Sequence, residues 1–271
     1  MPRRTRLDAE LVRRGLARSR EHASQLIADG RVTVRGTVAG KPATAVETDA
    51  AVVVRADTDD PDWASRGAHK LLGALAAFEP AGLRVAGRRC LDAGASTGGF
   101  TDVLLRRGAA TVVAADVGRG LLVWRLRGDE RVVVLDRTNV RSVTREQLGG
   151  PVDLVVADLS FISLRIVLPA LLACCGADAD LVPMVKPQFE VGKARLGSGG
   201  VVRDPALRAE VVGEVLAAAG ELGLRTHGVV ASPLPGPSGN VEYFAWLRRG
   251  EPLATERTAE LVDVAVREGP T

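Results

Sequence analysis

From Ser65 to about Arg249, short apolar runs alternate with longer stretches of helical character. The runs are L-D-A from Leu91, T-V-V-A-A-D ending at Asp116, V-V-V-L before Asn139, V-D-L-V-V-A-D ending at Asp158, D-A-D-L-V-P-M-V before Lys186, and N-V-E-Y-F-A-W-L from Asn240. Strands that alternate with helices predict a doubly wound α/β sheet. P-A-L-R-A-E-V-V-G-E-V-L-A-A-A-G-E-L-G, from Pro205, reads as one of those helices. The tail T-E-R-T-A-E-L-V-D-V-A-V-R-E-G, from Thr255, predicts an amphipathic helix covering the sheet.

The amino-terminal fifth is patterned differently. Asp8 is placed to cap a short helix ending at Gly15, Ser19 a second ending at Gly30, and R-V-T-V-R-G then reads as a strand. Leu7, Leu11, Val12, Leu16, Ala23, Leu26 and Ile27 supply a small core, so the segment is expected to form an α+β domain of its own. A-D-T-D-D-P-D-W, residues 56–63, is acidic and proline-containing like a linker, and Trp63 is expected to pack on one of the domains it joins. The expected division is residues 1–58, a linker at 59–64 and residues 65–271, which suits one small and one mid-sized domain.

Charge separates the two parts further. Residues 1–55 carry 11 Lys plus Arg against 6 Asp plus Glu, so the net charge of +3 for the whole chain arises entirely there. Arg3, Arg4, Arg6, Arg13, Arg14, Arg18 and Arg20 crowd into twenty residues, a density that matches an electrostatic footprint for phosphates. A solvated charged face is the plain alternative.

Candidate chemistry begins at L-D-A-G-A-S-T-G-G-F, Leu91 to Phe100, a buried strand running into a glycine-rich turn and a helix. Such a turn cradles a nucleotide-like cofactor, and Asp116, about twenty residues on, is the acid expected to bond a ribose hydroxyl. A dinucleotide fingerprint needs glycine where Ser96 stands; the glycines fall instead at Gly94, Gly98 and Gly99. Asp92 would repel a pyrophosphate but suits a cationic ligand, such as the ammonium or sulfonium of S-adenosylmethionine. That arrangement resembles the first motif of Rossmann-like methyltransferases. Thr97, Gly98 and Gly99 are expected to face the methionine portion, with Asn139 at the adenine edge or capping the next turn.

Lysine is scarce: of 36 Lys plus Arg, only positions 41, 70, 186 and 193 are Lys. A compact ammonium does work that a planar guanidinium does poorly. Lys186 follows an apolar strand and Lys70 opens a helix, while Asp158 closes one strand and Glu242 enters another. Parallel strands deliver their carboxyl ends to one crevice, so these four are expected to form a neutral cluster there; ordinary salt bridges at strand ends are the alternative.

Longer segments carry a family resemblance over nearly the whole chain. R-R-T-R-L-D-A-E-L-V-R-R-G-L-A-R-S-R, S-R-G-A-H-K-L, L-D-A-G-A-S-T-G-G-F-T, V-V-A-D-L-S-F-I-S-L, V-K-P-Q-F-E-V-G and S-P-L-P-G-P-S-G-N-V-E-Y-F resemble the TlyA family of ribosomal RNA 2′-O-methyltransferases, some of which are labelled haemolysins. The resemblance implies a seven-stranded, FtsJ-like methyltransferase sheet with its last strand antiparallel, preceded by an RNA-binding domain of the ribosomal protein S-four type. It also implies S-adenosylmethionine as cofactor, held by Asp92, Gly94, Ser96, Thr97, Gly98, Gly99, Phe100, Asp116 and Asn139. A Lys-Asp-Lys-Glu tetrad falls on Lys70, Asp158, Lys186 and Glu242. In it Lys186, held by Asp158 and Glu242, accepts or stabilises the charge of the departing proton, and Lys70 steadies the developing alkoxide. Cytidines of ribosomal RNA are the implied targets, with ribosomal RNA or ribosomal subunits as partner. Arg4, Arg6, Arg14, Arg18, Arg20 and Lys41 are the expected RNA contacts.

Other classes fit less well. Amino-methyltransferases often carry D-P-P-Y or N-P-P-Y where this chain has D-L-S-F, Asp158 to Phe161, which favours a hydroxyl over an amine target; Phe161 as a core residue is the plain reading. Cys90, Cys174 and Cys175 form no Cys-x-x-Cys and lie near no His cluster, so no metal is expected, and three cysteines without a framework fit a reducing cytoplasm. No leader pattern is evident and no apolar run approaches the roughly twenty residues of a membrane span, against a pore-forming haemolysin. A catalytically silent RNA-binding assembly factor is the remaining alternative. Gly197 to Gly200, G-S-G-G, reads as a substrate loop or a simple connection.

Overall fold

The computed structural model describes residues 4–17, 20–28, 30–55, 62–192, 195–236 and 239–270. Arg18 and Ser19, expected to contact RNA and to cap a helix, lie outside the described residues, as does Lys193. The chain divides into two compact units, Met1–Asp62 and Trp63–Thr271.

Unit 1 runs β1 (Arg4–Arg6), α1 (Leu7–Arg13), α2 (Arg20–Ala28), β2 (Val32–Val34), β3 (Thr37–Val38), β4 (Ala45–Glu47) and β5 (Val52–Val54). β1 pairs with β4, and β2 lies between β3 and β5. Leu7, Leu11, Ala23, Leu26, Ile27, Val32 and Val46 form its core, whereas Leu16 is exposed, against expectation. Asp8 sits inside α1 and not at its cap: its carboxylate accepts from Ala9 N, Arg6 and Arg20. Glu10, fully buried, accepts from Arg13 and Arg14.

These pairs make unit 1 acid-sensitive. The Arg6 bond and, more weakly, Arg20 hold Asp8 down to about 2, and Arg13 followed by Arg14 holds Glu10 down to about 2, both against burial. Folded-state values below the ordinary carboxylate range mean that the stabilisation is present above the unfolded pKa values and lost as pH falls from about 4.5 towards 2. The methyl NMR signals of Leu7, Leu11 and Val46 are therefore expected to lose dispersion across that window. In a Glu10→Gln variant the unit is weakened already at pH 7 and responds less to acid. Unchanged spectra at pH 2.5 would refute this account.

Unit 2 follows with α3 (Gly67–Phe78), β6 (Arg89–Ala93), α4 (Gly99–Arg106), β7 (Thr111–Ala115), α5 (Trp124–Arg127), β8 (Val132–Leu135), α6 (Arg145–Leu148), β9 (Val152–Ala157), α7 (Leu164–Cys174), β10 (Cys175–Val185), α8 (Pro187–Glu190), α9 (Pro205–Glu221), β11 (Leu224–Ala231), β12 (Tyr243–Arg249) and α10 (Thr255–Glu268). Its seven strands lie in the order β11-β12-β10-β9-β6-β7-β8, with β12 antiparallel to both neighbours. Strand residues alternate between two cores. Cys90, Val112, Ala114, Leu154 and Val156 pack with α3 and α4; Leu91, Val113, Ala115, Val155 and Ala157 pack with α7, α9 and α10. That period of two is what burial on both faces demands.

The topology creates the site. The chain runs outward from β6 through β7 and β8, then crosses to β9 on the other side of β6. Strand order reverses at the carboxyl ends of β6 and β9, the position where open α/β sheets bind their ligands. Local chemistry sharpens the edges: Ser163 caps α7 by accepting from Arg165 N, and Asp204 caps α9 ahead of Pro205. Trp63 packs within unit 2 under the Arg106 guanidinium, 4.3 Å from ring centroid to Cζ.

Candidate active site

The glycine turn lies at the end of β6. Gly94 and Gly98 have left-handed φ values of 88° and 102°. A Cβ on Gly94 would stand 2.4 Å from the Asp158 carbonyl oxygen, so that position needs glycine for conformation and for space, while at Gly98 the left-handed backbone sets the need. Asp116 follows β7 and accepts from Ser96 N at 2.8 Å and Gly118 N at 2.7 Å, closing the turn.

Asp92 is fully buried in β6. Its Oδ2 accepts from Thr101 Oγ1 at 2.7 Å, while its Oδ1 is buried with no partner. Burial pushes its pKa up to about 7, although the Thr101 bond works the other way. Phe100 is corrected: it is a core residue, packed on Phe244 with ring centroids 5.9 Å apart. Asn139 takes its capping alternative, accepting from Arg141 N.

Along the same edge the two lysines and two acids form separate ion pairs. Lys186 Nζ lies 2.5 Å from Asp158 Oδ1 and donates to Ser160 Oγ at 3.2 Å. Lys70 Nζ lies 2.6 Å from Glu242 Oε2. The expectation that Asp158 and Glu242 together hold Lys186 is thereby corrected: Glu242 belongs to Lys70. Antiparallel β12 places Glu242 at this edge because the strand begins where its parallel neighbours end. Gly236 packs so closely on that acid that a Cβ would meet its Oε1 at 2.2 Å.

Two neighbours escaped the sequence reading and a third, Phe161, was misplaced by it. Gln188 Nε2 donates to Glu242 Oε1 at 3.2 Å. Glu190, buried, accepts from Ser163 Oγ at 2.5 Å and Leu164 N at 2.7 Å, tying α8 behind Lys186 to the start of α7 behind Asp158. Phe161 is 90% exposed on a left-handed backbone, φ 63°, its ring 5.0 Å from that of Phe189. It is not core. Their only signal was polar or aromatic residues in D-L-S-F and K-P-Q-F-E, directly after apolar strands. The Gly197–Gly200 run holds a 3₁₀ turn, Ser198–Gly200, anchored by Asn240, which accepts from Val202 N and donates to Gly200 O.

In unit 1, Arg4, Arg6 and Arg20 each expose half or more of their side chains, and Lys41 is exposed. Arg14 is corrected to a structural tie: it bonds Glu10 and the carbonyls of Ala50 and Thr48. Among the described residues no cluster of His, Cys, Asp or Glu could hold a metal, and no helix is long and apolar enough to cross a membrane.

A family model for FtsJ-like methyltransferases matches residues 63–249, and one for the S4 domain matches residues 5–52. The chain is 62% identical over 272 residues to the 16S/23S rRNA (cytidine-2′-O)-methyltransferase TlyA of Mycobacterium tuberculosis, covering 100% of each. The chain belongs to the TlyA family of methyltransferases. It is also similar to Hemolysin A of Brachyspira hyodysenteriae, at 35% identity over 89% of this chain and 98% of the other. A solved structure from Streptococcus thermophilus, likewise bearing the name hemolysin, is 35% identical with a TM-score of 0.76, covering 99% of this chain and 97% of the other.

For a TlyA-family methyltransferase the glycine turn has the features that S-adenosylmethionine needs. The orphaned Asp92 Oδ1 offers a buried acceptor to a cation, and Gly94 and Gly98 keep the backbone bare. An unpartnered buried acceptor costs about 1–3 kcal/mol, which a bound ligand can recover.

Proposed function

We propose that this chain transfers a methyl group from S-adenosylmethionine to the 2′-hydroxyl of cytidine in ribosomal RNA, in the cytoplasm. The observation that carries the reading is the pair of lysine–carboxylate bridges, Lys186–Asp158 and Lys70–Glu242, at the sheet edge beside the glycine turn. Each lysine is held by its carboxylate, which supports a fixed positive charge at this edge for a reacting oxygen.

S-adenosylmethionine, when bound, supplies an electrophilic methyl group. Asp92, Gly94, Ser96, Thr97, Gly98, Gly99 and Asp116 are the residues that would hold it. Ser96 N and Gly118 N already orient the Asp116 carboxylate for a ribose. As the target 2′-hydroxyl gives up its proton to water, Lys186, fixed by Asp158 and Ser160, would stabilise negative charge on the attacking oxygen, and Lys70, fixed by Glu242, would add a second cation. With equal numbers of acids and bases, the cluster avoids an unpaired buried charge. On unit 1, Arg4, Arg6, Arg20 and Lys41 remain proposed phosphate contacts.

Phe161 gives the target base a stacking partner at the mouth of the site. Phe161→Ala is expected to lower kcat/KM for RNA by about 5- to 150-fold, the range of one lost stack of about 1–3 kcal/mol. Cofactor affinity stays unchanged. Steady-state kinetics and calorimetry test this, and unaltered kcat/KM would remove Phe161 from the site.

The decisive assay supplies labelled S-adenosylmethionine and isolated ribosomal subunits lacking the modification, followed by nuclease digestion and nucleoside mass analysis. Label in 2′-O-methylcytidine supports the proposal. Label on a base amine overturns the hydroxyl mechanism, and no transfer favours a binding-only assembly factor. Leakage of liposomes by the purified chain would be the mark of the haemolysin reading, in which the polar tetrad has no role.

A further inference from the structure

We propose that Gln188 is a positioning residue for methyl transfer, fixing the Glu242 carboxylate so that it in turn fixes Lys70. The inference rests on the reading that the two lysine–carboxylate pairs carry the reaction. Gln188 is the second residue of α8 and nine-tenths buried. Its Nε2 donates to Glu242 Oε1 at 3.2 Å, while Lys70 Nζ donates to Glu242 Oε2 at 2.6 Å. Each oxygen of a fully buried carboxylate thus takes a donor from a different element, one from α3 and one from α8. Gly236 closes the remaining side, where even a methyl group would collide with Oε1.

The amide keeps this bond at the expense of its own carbonyl, since Gln188 Oε1 is buried and has no partner. A residue retained only to fill space would be apolar and would avoid that orphan. Flipping the amide would turn its carbonyl against a carboxylate, so the orientation follows from chemistry. Lys70 from α3 is ion-paired to Glu242, and because Val185 pairs with Tyr243 across β10 and β12, Lys186, itself paired with Asp158, lies at the same strand edge. Gln188 stands two residues from Lys186, so a four-residue helix links the two ion pairs: its first end carries one lysine and its side chain steadies the acid that holds the other.

The test compares full-length Gln188→Leu, Gln188→Glu and Glu242→Gln with the parent chain. Single-turnover methyl transfer to unmodified ribosomal subunits is measured at saturating S-adenosylmethionine from about pH 6 to about pH 9, together with cofactor Kd and the melting midpoint. Gln188→Leu is expected to lose about 10- to 100-fold in rate, by analogy with losing the hydrogen-bond partner that orients a metal-ligating side chain. Cofactor Kd should stay within about two-fold. Gln188→Glu is expected to work at low pH, where one proton shared with Glu242 replaces the amide donor, and to fail as pH rises and two carboxylates repel. That descending limb is absent from the parent and is not something a packing defect produces.

A parent-like rate in Gln188→Leu overturns the proposal, as does a Gln188→Glu profile parallel to that of the parent. Should Glu242→Gln itself remain active, the reading of the ion pairs fails and the role of Gln188 falls with it. An inactive Glu242→Gln beside an active Gln188→Leu rejects the positioning role alone.

Discussion

Replacing Lys186 by Ala is expected to lower methyl transfer to unmodified ribosomal subunits by about 10²- to 10³-fold in kcat while leaving cofactor Kd unchanged. The figure is that for removing one preorganised donor at a site of developing negative charge. Lys186 is 6% exposed and its ammonium is held by Asp158 and Ser160. Asp158, a quarter exposed, can rehydrate when its partner leaves, and the fold survives. Lys186→Arg should rescue little, because a planar guanidinium cannot occupy the place of a point charge held by two acceptors 2.5 and 3.2 Å away. Single-turnover rates with calorimetric Kd values check both variants. Near-parent turnover in Lys186→Ala would remove this residue from the chemistry.

Asp92→Asn is expected to do two opposite things: to weaken S-adenosylmethionine binding at least about ten-fold and to stabilise the ligand-free protein at pH 8. Asp92 is fully buried, one oxygen has no partner, and burial pushes its pKa up to about 7. A folded-state pKa above the unfolded value favours the folded protein below the unfolded pKa, near 3.9, and that advantage is lost as pH rises through about 7. Above pH 7 the parent therefore carries a buried carboxylate that asparagine does not. Its melting midpoint should rise by roughly 2–4 °C for each kcal/mol relieved. In the parent, a cationic ligand favours the ionised acid, so affinity for S-adenosylmethionine should increase from pH 5.5 to pH 7.5 as a proton is released. Calorimetry in buffers of different ionisation enthalpy measures that proton. Equal binding by parent and variant at pH 7.5 would exclude Asp92 from the cofactor's grip.

The strand ends were readable because buried strands are short, apolar and closed by a carboxylate or lysine, as at Ala157–Asp158 and Val185–Lys186. Glycine need at positions 94 and 98 was readable too, because spacing around a turn is local. What escaped was everything set by tertiary contact. Phe100 reads as part of a cofactor motif, yet helix geometry turns it inward onto Phe244. Arg14 reads as one more phosphate-seeking arginine, yet two carbonyls at positions 48 and 50 claim it. Whether Glu242 meets Lys70 or Lys186 depends on the order and direction of strands, and no local pattern encodes that. Gln188 and Glu190 were invisible for a related reason: a polar residue in a string such as K-P-Q-F-E looks exposed until the chain buries it.

The Lys70–Glu242 bond spans 172 residues of sequence and crosses from α3 to the mouth of an antiparallel hairpin strand. Contacts of such long range form late in folding, because closing so large a loop costs entropy before any contact offsets it. During synthesis from the amino terminus, the glycine turn, Asp158 and Lys186 are all made before β12 emerges. A nascent chain can therefore assemble most of the sheet and still lack the acid that holds Lys70. The proposed second ion pair therefore waits on the docking of β12, which is made after every other member of the site.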